Sequence, residues 1–365
     1  MPVKPPRLKP AATLCLVAPA SAVTDVPSYE KGKRLLEERG YRVAEGEHVR
    51  DAMLLFAGED RDRADDLNRA FADSAIDAII CVQGGAGTAR ILPYIDFELI
   101  ARNPKIFVGY SDITVLQLAM LERCGLITFY GPMVATEFGR AFTPFTDERF
   151  FQMLTTSEGS IDFRGQARGN LSSEHSEPGT RLRVREAGYP LAGGALPQEG
   201  ATGYPQAGVP GIELRNRPGR KMLTLYPGEA RGQLVGGCLS IFVSTLGTEW
   251  EVDTRDKILF FEDIDERPHR IERYLTQLLL ANKLQAAKAI IFGTFTRCEY
   301  TERRDHAGPH VRTLDIIKDR VLPLQKPCLY GLQFGHVREK LTLPHGGYAF
   351  LDATQQRVFV EPAVS

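Results

Sequence analysis

The chain has 365 residues, 43% hydrophobic and 25% charged, and its 45 basic and 46 acidic residues leave a formal net charge of -1. That length exceeds the usual single-domain range, and the apolar content suffices for two cores without metal or disulfide support. A near-neutral balance supplies no overall field for a phosphate backbone, so nucleic acid is not an expected partner.

The apolar stretch 12–18 is too short to cross a bilayer, and no other segment approaches membrane-helix length, so no membrane association is expected. Six cysteines, at 15, 81, 124, 238, 298 and 328, are dispersed without a C-x-x-C pair. They fit buried free thiols in a reducing compartment, and the chain is expected to be cytoplasmic.

The first 155 residues alternate apolar runs with amphipathic stretches. Strands are expected at 13–17, 78–82, 105–109 and 127–130, with helices at 28–39, 60–73, 97–101 and 113–123. The wholly apolar AIICV at 78–82 suits a central strand buried on both faces. This alternation predicts a parallel sheet with helices on both faces, where sites gather at the carboxyl ends of strands.

The rhythm fails between about 157 and 221, where GYPLAGGALPQEG and its neighbours are dense in Gly and Pro. The segment reads as an inter-domain connection with extended pieces or a flap. Patterning returns from 233 with a Gly-Gly turn, a helix over 239–246, a strand at 257–261 and a long amphipathic helix over 268–284. Further strands are expected at 289–292, 328–332, 341–343, 347–351 and 358–360, a mixed α/β half with a more antiparallel end. The expected organisation is a domain over 1–156, a Gly/Pro-rich segment over 157–221 and a second domain over 222–365.

The run KIFVGYSDIT at 105–114 combines a strand, a tight turn and a helix start. Gly109 lets the chain reverse sharply, which would set Ser111 above the sheet and the Asp112 N–H at the positive end of the next helix. That is the logic of a nucleophile elbow, although Ile113 stands where the G-x-S-x-G spelling has its last glycine. A serine or aspartate at such a turn also caps a helix without any chemistry.

The loop VQGGAGTAR at 82–90 can bring backbone N–H groups to an anion. It lacks the end of a Walker motif, and Arg90 replaces the final glycine of the dinucleotide fingerprint, so no cofactor is expected. The acidic run EDIDE at 262–266 could orient a histidine, ligate a metal or cap the next helix. His306 and His310 are separated by Ala-Gly-Pro, which no helix can align; they read as an exposed loop, and no metal is expected. His336 follows a strand and a glycine, His345 has a weaker claim to chemistry, and Trp250, the single tryptophan, reads as core.

Taken together, VAPAS at 17–21, GGAGTARILPYIDFELIARNPKIFVGYSDIT at 84–114, LVGGCLSIFVSTLGT at 234–248 and ILFFEDIDERPHRIERYLTQL at 258–278 resemble the LD-carboxypeptidase family of serine peptidases. The likeness continues through AIIFGTFTRC and FGHVREKLTLPHG and leaves out only the 157–220 region. The resemblance implies an α/β protein with an N-terminal parallel-sheet flavodoxin-like domain and a second, mixed α/β C-terminal domain.

It also implies a Ser-Glu-His triad at their junction: Ser111, His336 and Glu262, with Glu266 as the alternative acid. The oxyanion would meet the N–H groups of Asp112 and Gly85. The implied reaction hydrolyses an L,D amide bond and releases terminal D-alanine from murein tetrapeptides during wall recycling, by a homodimer without cofactor. Two other readings stand beside it: an amidase of the microcin C self-immunity type, cleaving an aminoacyl-nucleotide bond, and a non-catalytic anion- or peptide-binding protein. The chain departs from the common pattern at Gln83, where many relatives have Arg, and at Val337-Arg338-Glu339 after the histidine. Its middle segment is also longer than the shortest members require. Arg338 and the middle segment are candidate substrate contacts.

Overall fold

The computed structural model describes residues 2–157, 211–300 and 311–365. Five short strands open the chain: β1 (Thr13–Val17), β2 (Arg42–Glu45), β3 (Ala78–Cys81), β4 (Ile106–Gly109) and β5 (Thr128–Tyr130). They pair in parallel in the order β2-β1-β3-β4-β5. This is the doubly wound order in which carboxyl ends of strands and the following loops form the binding edge.

The central strands β3 and β4 are buried at every residue, as their unbroken apolar sequence requires. Helices between the strands start at side-chain caps where the sequence supplies them: Asp25 accepts from Ser28 N, and Asp96 from Leu99 N. The helix Thr114–Cys124 ends at Gly125, whose φ of +63° is the left-handed turn that stops a helix.

The second half supplies β6 (Ile212–Glu213), β7 (Leu223–Tyr226), β8 (Glu229–Cys238), β9 (Ile258–Ile264), β10 (Ala289–Thr296) and β11 (Cys328–Tyr330). Then follow β12 (Leu343–His345), β13 (Tyr348–Asp352) and β14 (Arg357–Val360). Eight of these form one mixed sheet in the order β6-β14-β13-β8-β9-β10-β11-β7, parallel from β8 to β11 and antiparallel toward both edges. The ninth, β12, crosses over and pairs antiparallel with β5, adding a sixth strand to the first sheet. The protein is therefore a two-domain α/β structure, one sheet mostly parallel and the other mixed.

Three sequence expectations are corrected. Gly236 and Gly237 lie inside β8 instead of forming a turn. A Cβ on Gly236 would stand 1.9 Å from the Phe260 carbonyl oxygen, and one on Gly237 would meet Thr114 Oγ1 at 2.6 Å. Gly236 lets the Phe260 backbone approach closely, and Gly237 leaves room for the Thr114 and Tyr130 side chains. The strand expected at 257–261 continues to Ile264 and takes Glu262 and Asp263 into the sheet. The helix expected to run to 284 stops at Leu280, and a short helix resumes at Lys283 after Asn282 turns left-handed at φ +59°.

Within the segment expected to be Gly/Pro-rich connection, residues 158–210 lie outside the described residues, as do His306 and His310. Among the described residues no helix is long and apolar enough to cross a membrane.

Candidate active site

Ser111 stands two residues past the end of β4, in the left-handed region at φ +66°. Such a conformation is costly for a residue with a side chain and is tolerated where surroundings impose it. Here they do. A Cβ on Gly109 would lie 2.7 Å from Ile113 Cγ2, and one on Gly84 would lie 2.8 Å from the Ser111 Cβ. The Ser111 N–H donates to the Tyr130 hydroxyl at 3.2 Å, and its carbonyl accepts from Thr114 Oγ1 at 2.6 Å. That threonine oxygen also accepts from the Cys238 N–H at 3.2 Å, which fastens the turn to the second sheet.

Glu262, on β9, is fully buried. Its Oε2 accepts the His336 backbone N–H at 3.0 Å and faces His336 Nδ1 at 2.8 Å, while Oε1 lies 3.1 Å from Nδ1 and accepts from the Tyr130 hydroxyl at 2.6 Å. Burial works to raise its pKa, but His336, in charge and hydrogen bonding, together with Tyr130, brings it below the ordinary carboxylate value. Gly335 makes the close approach possible: its φ is +86°, and a Cβ there would sit 2.2 Å from Glu262 Oε2.

On the far side of the imidazole, His336 Nε2 lies 3.0 Å from Ser111 Oγ. Thr296 Oγ1 donates to the His336 carbonyl at 2.7 Å, and the Tyr110 ring packs edge-on to the imidazole at 4.9 Å between centroids. Ser111, His336 and Glu262 thus form one hydrogen-bonded line, drawn from the turn after β4, the 335–336 turn and β9. This line can pass a proton from a hydroxyl to an imidazole whose other nitrogen is held by a carboxylate.

The two proposed oxyanion positions belong to connected loops. The Asp112 carboxylate accepts from Thr88 N at 2.9 Å and Thr88 Oγ1 at 2.6 Å, tying the nucleophile turn to the glycine loop. Gly85, at φ +116°, lies against Ser21, where a Cβ would come within 2.2 Å of the hydroxyl. That hydroxyl accepts from Ala86 N at 3.0 Å. Gln83 carries no charge into the site; its amide donates to Ala22 O at 2.7 Å and Ser21 O at 3.3 Å.

Other sequence candidates fall elsewhere. Glu266 accepts from the Tyr274 hydroxyl at 3.2 Å and pairs with Arg270 at 3.4 Å, away from the imidazole. His345 is buried in β12, and burial, then the Lys257 charge, pushes it down to about 3. Trp250 is half-buried, packed on Phe97 at 5.4 Å and capped by Arg123 at 4.8 Å. Arg338 is exposed, and the neighbouring Glu339 pairs with Arg217 at 2.7 Å. The six cysteines are free thiols, five of them buried. Among the described residues, one group has metal-ligand spacing: His48, Asp51 and Asp62, with ligand atoms within 4.8 Å of one another. The Nδ1 of His48 already faces Asp51 at 2.9 Å.

Sequence reading missed Tyr130, Tyr110, Thr114 and Thr296, which hold the line in place. Tyr130 carried one usable signal, its position as the last residue of a strand whose carboxyl end faces the site. It also missed the buried pair of Glu137 and Lys340, whose ammonium lies 2.6 Å from the carboxylate and 3.7 Å above the Tyr110 ring.

Known proteins resemble this chain in both of its halves. Residues 14–131 match the LD-carboxypeptidase N-terminal domain and residues 231–351 the LD-carboxypeptidase C-terminal domain. A protein of Bacillus subtilis named as a probable murein peptide carboxypeptidase is 33% identical over 99% of this chain and 95% of its own length. The wild-type apo structure of the microcin C7 self-immunity protein MccF superposes with a TM-score of 0.78 at 25% identity, over the whole of both chains. The muramoyltetrapeptide carboxypeptidase of Oxalobacter formigenes superposes at 0.72 with 26% identity, over 97% of this chain and all of that one. With both domains matched in order and the whole fold shared, this chain belongs to the LD-carboxypeptidase family.

Proposed function

We propose that this chain is a serine peptidase that hydrolyses an L,D amide bond and releases terminal D-alanine from murein tetrapeptides. Ser111 is the nucleophile, His336 its base and Glu262 the acid that orients the base. The observation that carries the reading is the 3.0 Å contact of Ser111 Oγ with His336 Nε2, whose Nδ1 is held by Glu262 at 2.8 Å.

In the first step Ser111 Oγ attacks the scissile carbonyl carbon while His336 Nε2 takes its proton. Glu262, already ionised, stabilises the imidazolium and fixes the tautomer that presents Nε2 as acceptor. The N–H groups of Asp112 and Gly85 receive the oxyanion, each such donor being worth about 3–4 kcal/mol in the transition state. His336 then gives its proton to the leaving amine, D-alanine departs, and water attacks the acyl-serine by the same route in reverse.

A non-catalytic anion-binding role does not need a hydroxyl, an imidazole and a buried carboxylate in line, so the line argues against it. The amidase reading keeps the same chemistry, supported by the likeness to MccF, and differs in the group next to the scissile bond. The single tryptophan does not help that reading. Trp250 touches Arg123 near the end of a helix whose first turn adjoins Ser111, about 16 Å away for 11 residues. The homodimer and cytoplasmic location implied by the resemblance belong to the same reading and are checked by sedimentation and cell fractionation.

The test is D-alanine release from a tetrapeptide ending in diaminopimelate-D-Ala, comparing wild type with Ser111→Ala and Glu262→Gln. Wild type releases D-alanine, and both variants lose about 10⁴-fold or more in kcat. Equal release by wild type and Ser111→Ala would sink the mechanism. Release by none of the three would move the substrate to an aminoacyl-nucleotide amide.

A further inference from the structure

Two residues at the carboxyl ends of β9 and β10 hold backbone angles that side chains rarely adopt: Asp265 at φ +60° and Arg297 at φ +55°. The two turns are joined. The Asp265 N–H donates to the Thr296 carbonyl at 3.0 Å. The Arg297 guanidinium grips the Asp265 carboxylate with Nε to Oδ1 at 2.5 Å and Nη2 to Oδ2 at 2.6 Å. Their side chains are 65% and 58% exposed, so no core packing requires the pair. Solvent-exposed ion pairs contribute little to stability, whereas strained non-glycine residues gather at functional sites.

The pair stands on the rim beside the catalytic histidine. Thr296, one residue before Arg297, donates to the His336 carbonyl at 2.7 Å. Asp265 is held below the ordinary carboxylate value first by its hydrogen bond to Arg297, with the His336 charge acting in the same direction.

A guanidinium presents five N–H donors in two forks. Asp265 occupies the Nε–Nη2 fork, which fixes the plane and leaves the Nη1–Nη2 edge shaped for a second carboxylate. A peptidase that trims one terminal residue has to recognise that residue's α-carboxylate near the scissile bond. Among the described residues, two other cations close to His336 in the chain fit that task less well. Lys340 is buried and committed to Glu137. Arg338 is exposed, and among the described residues no ion pair orients it, its neighbour Glu339 being paired with Arg217.

We propose that Arg297, oriented by Asp265, binds the terminal carboxylate of the substrate's leaving residue and so selects for free-acid peptides. This rests on the carboxypeptidase reading. Asp265 acts through Arg297 and is a positioning residue.

The test uses two tetrapeptides alike except that one ends in D-alanine and the other in D-alaninamide. KM, or Ki where turnover is absent, is measured for wild type, Arg297→Ala, Arg297→Lys and Arg338→Ala. Wild type is expected to favour the acid over the amide by about tenfold or more, the worth of one charge-assisted pair. Arg297→Ala raises KM for the acid by about the same factor, holds kcat within a few-fold and leaves the amide unchanged. Arg297→Lys restores part of the preference, because a point charge replaces the fork. An unchanged acid KM in Arg297→Ala, equal losses on acid and amide, or transfer of the whole effect to Arg338→Ala would each overturn the assignment. A wild type that processes neither peptide would instead overturn the carboxypeptidase reading beneath it.

Discussion

The Tyr130 hydroxyl donates to Glu262 Oε1 at 2.6 Å and accepts the Ser111 N–H at 3.2 Å, so one phenol joins the nucleophile turn to the buried carboxylate. Tyr130 comes from the first sheet and Glu262 from the second. Burial, then the Glu262 charge, pushes the phenol well above its usual pKa, which keeps it a donor. The contact sets where the nucleophile and the acid stand relative to each other, a matter that neither domain can settle alone.

Tyr130→Phe therefore lowers kcat and leaves KM nearly unchanged. A hydrogen bond to a charged group is worth about 1.5–3 kcal/mol, or roughly 10–100-fold in rate. The ring still fills its place between Phe260, at 5.5 Å, and Phe334, at 6.4 Å, so the fold is kept. Steady-state kinetics with a circular dichroism spectrum check this. A kcat equal to wild type would mean that His336 alone positions Glu262.

Lys340 and Glu137 form a second tie between the halves, behind the site. Glu137 accepts from Lys340 Nζ at 2.6 Å, Tyr110 OH at 3.0 Å and Thr136 Oγ1 at 2.7 Å. Burial pulls the lysine's pKa down, while the Lys340 charge more than offsets burial at Glu137 and holds that carboxyl below its ordinary value. Lys340→Met strands a buried carboxylate and is expected to cost about 3–5 kcal/mol. Adding Glu137→Gln removes that charge and recovers most of the loss. Urea denaturation of the two single variants and the double variant measures the coupling. Additive losses would show that the pair is not coupled.

Much of this was legible in the chain. The strand at Thr13–Val17 has the bounds read from its apolar run, and the buried strands β3 and β4 follow from unbroken hydrophobic sequence. The turn at 109–111 was legible from the glycine at the strand end, although the left-handed angle falls on Ser111 and Gly109 instead leaves room for Ile113. Edges were harder. The strands β2 and β7 are exposed at their first residue and only partly buried at the rest, so no apolar period marks them. Gly236-Gly237 reads as a breaker in one dimension, and only the Phe260 backbone across the sheet explains it as strand. The crossing of β12 to the first sheet and the burial of Lys340 depend on long-range pairing, to which local patterning is blind. The resemblance named Ser111, Glu262 and His336 and could not name Tyr130, since a tyrosine in a strand is an ordinary core residue until its hydroxyl finds a carboxylate.

Asp263 supplies a pH test. It follows Glu262 on β9 but points to the other face, where it accepts from Ser240 N and Ile264 N at 2.8 Å each. Burial, then the neighbouring Glu262 charge, pushes it up from 3.8 to about 6. Between those values the folded state binds more protons at this site than the unfolded state, so its contribution to stability falls as pH rises from about 4 to 6. The full swing is on the order of 2–3 kcal/mol. Glu262 has the opposite sign, because its lowered folded value makes its contribution disappear as pH falls. Glu262 is present in wild type and in Asp263→Asn, so subtracting their unfolding free energies leaves Asp263 together with its coupling to Glu262. Urea melts at pH 4, 5, 6 and 7 are expected to show the asparagine variant gaining on wild type as pH rises, with the gain levelling above about pH 6. A difference independent of pH would mean that Asp263 is ionised throughout, and that the Ser240 and Ile264 N–H groups stabilise its charge beside Glu262.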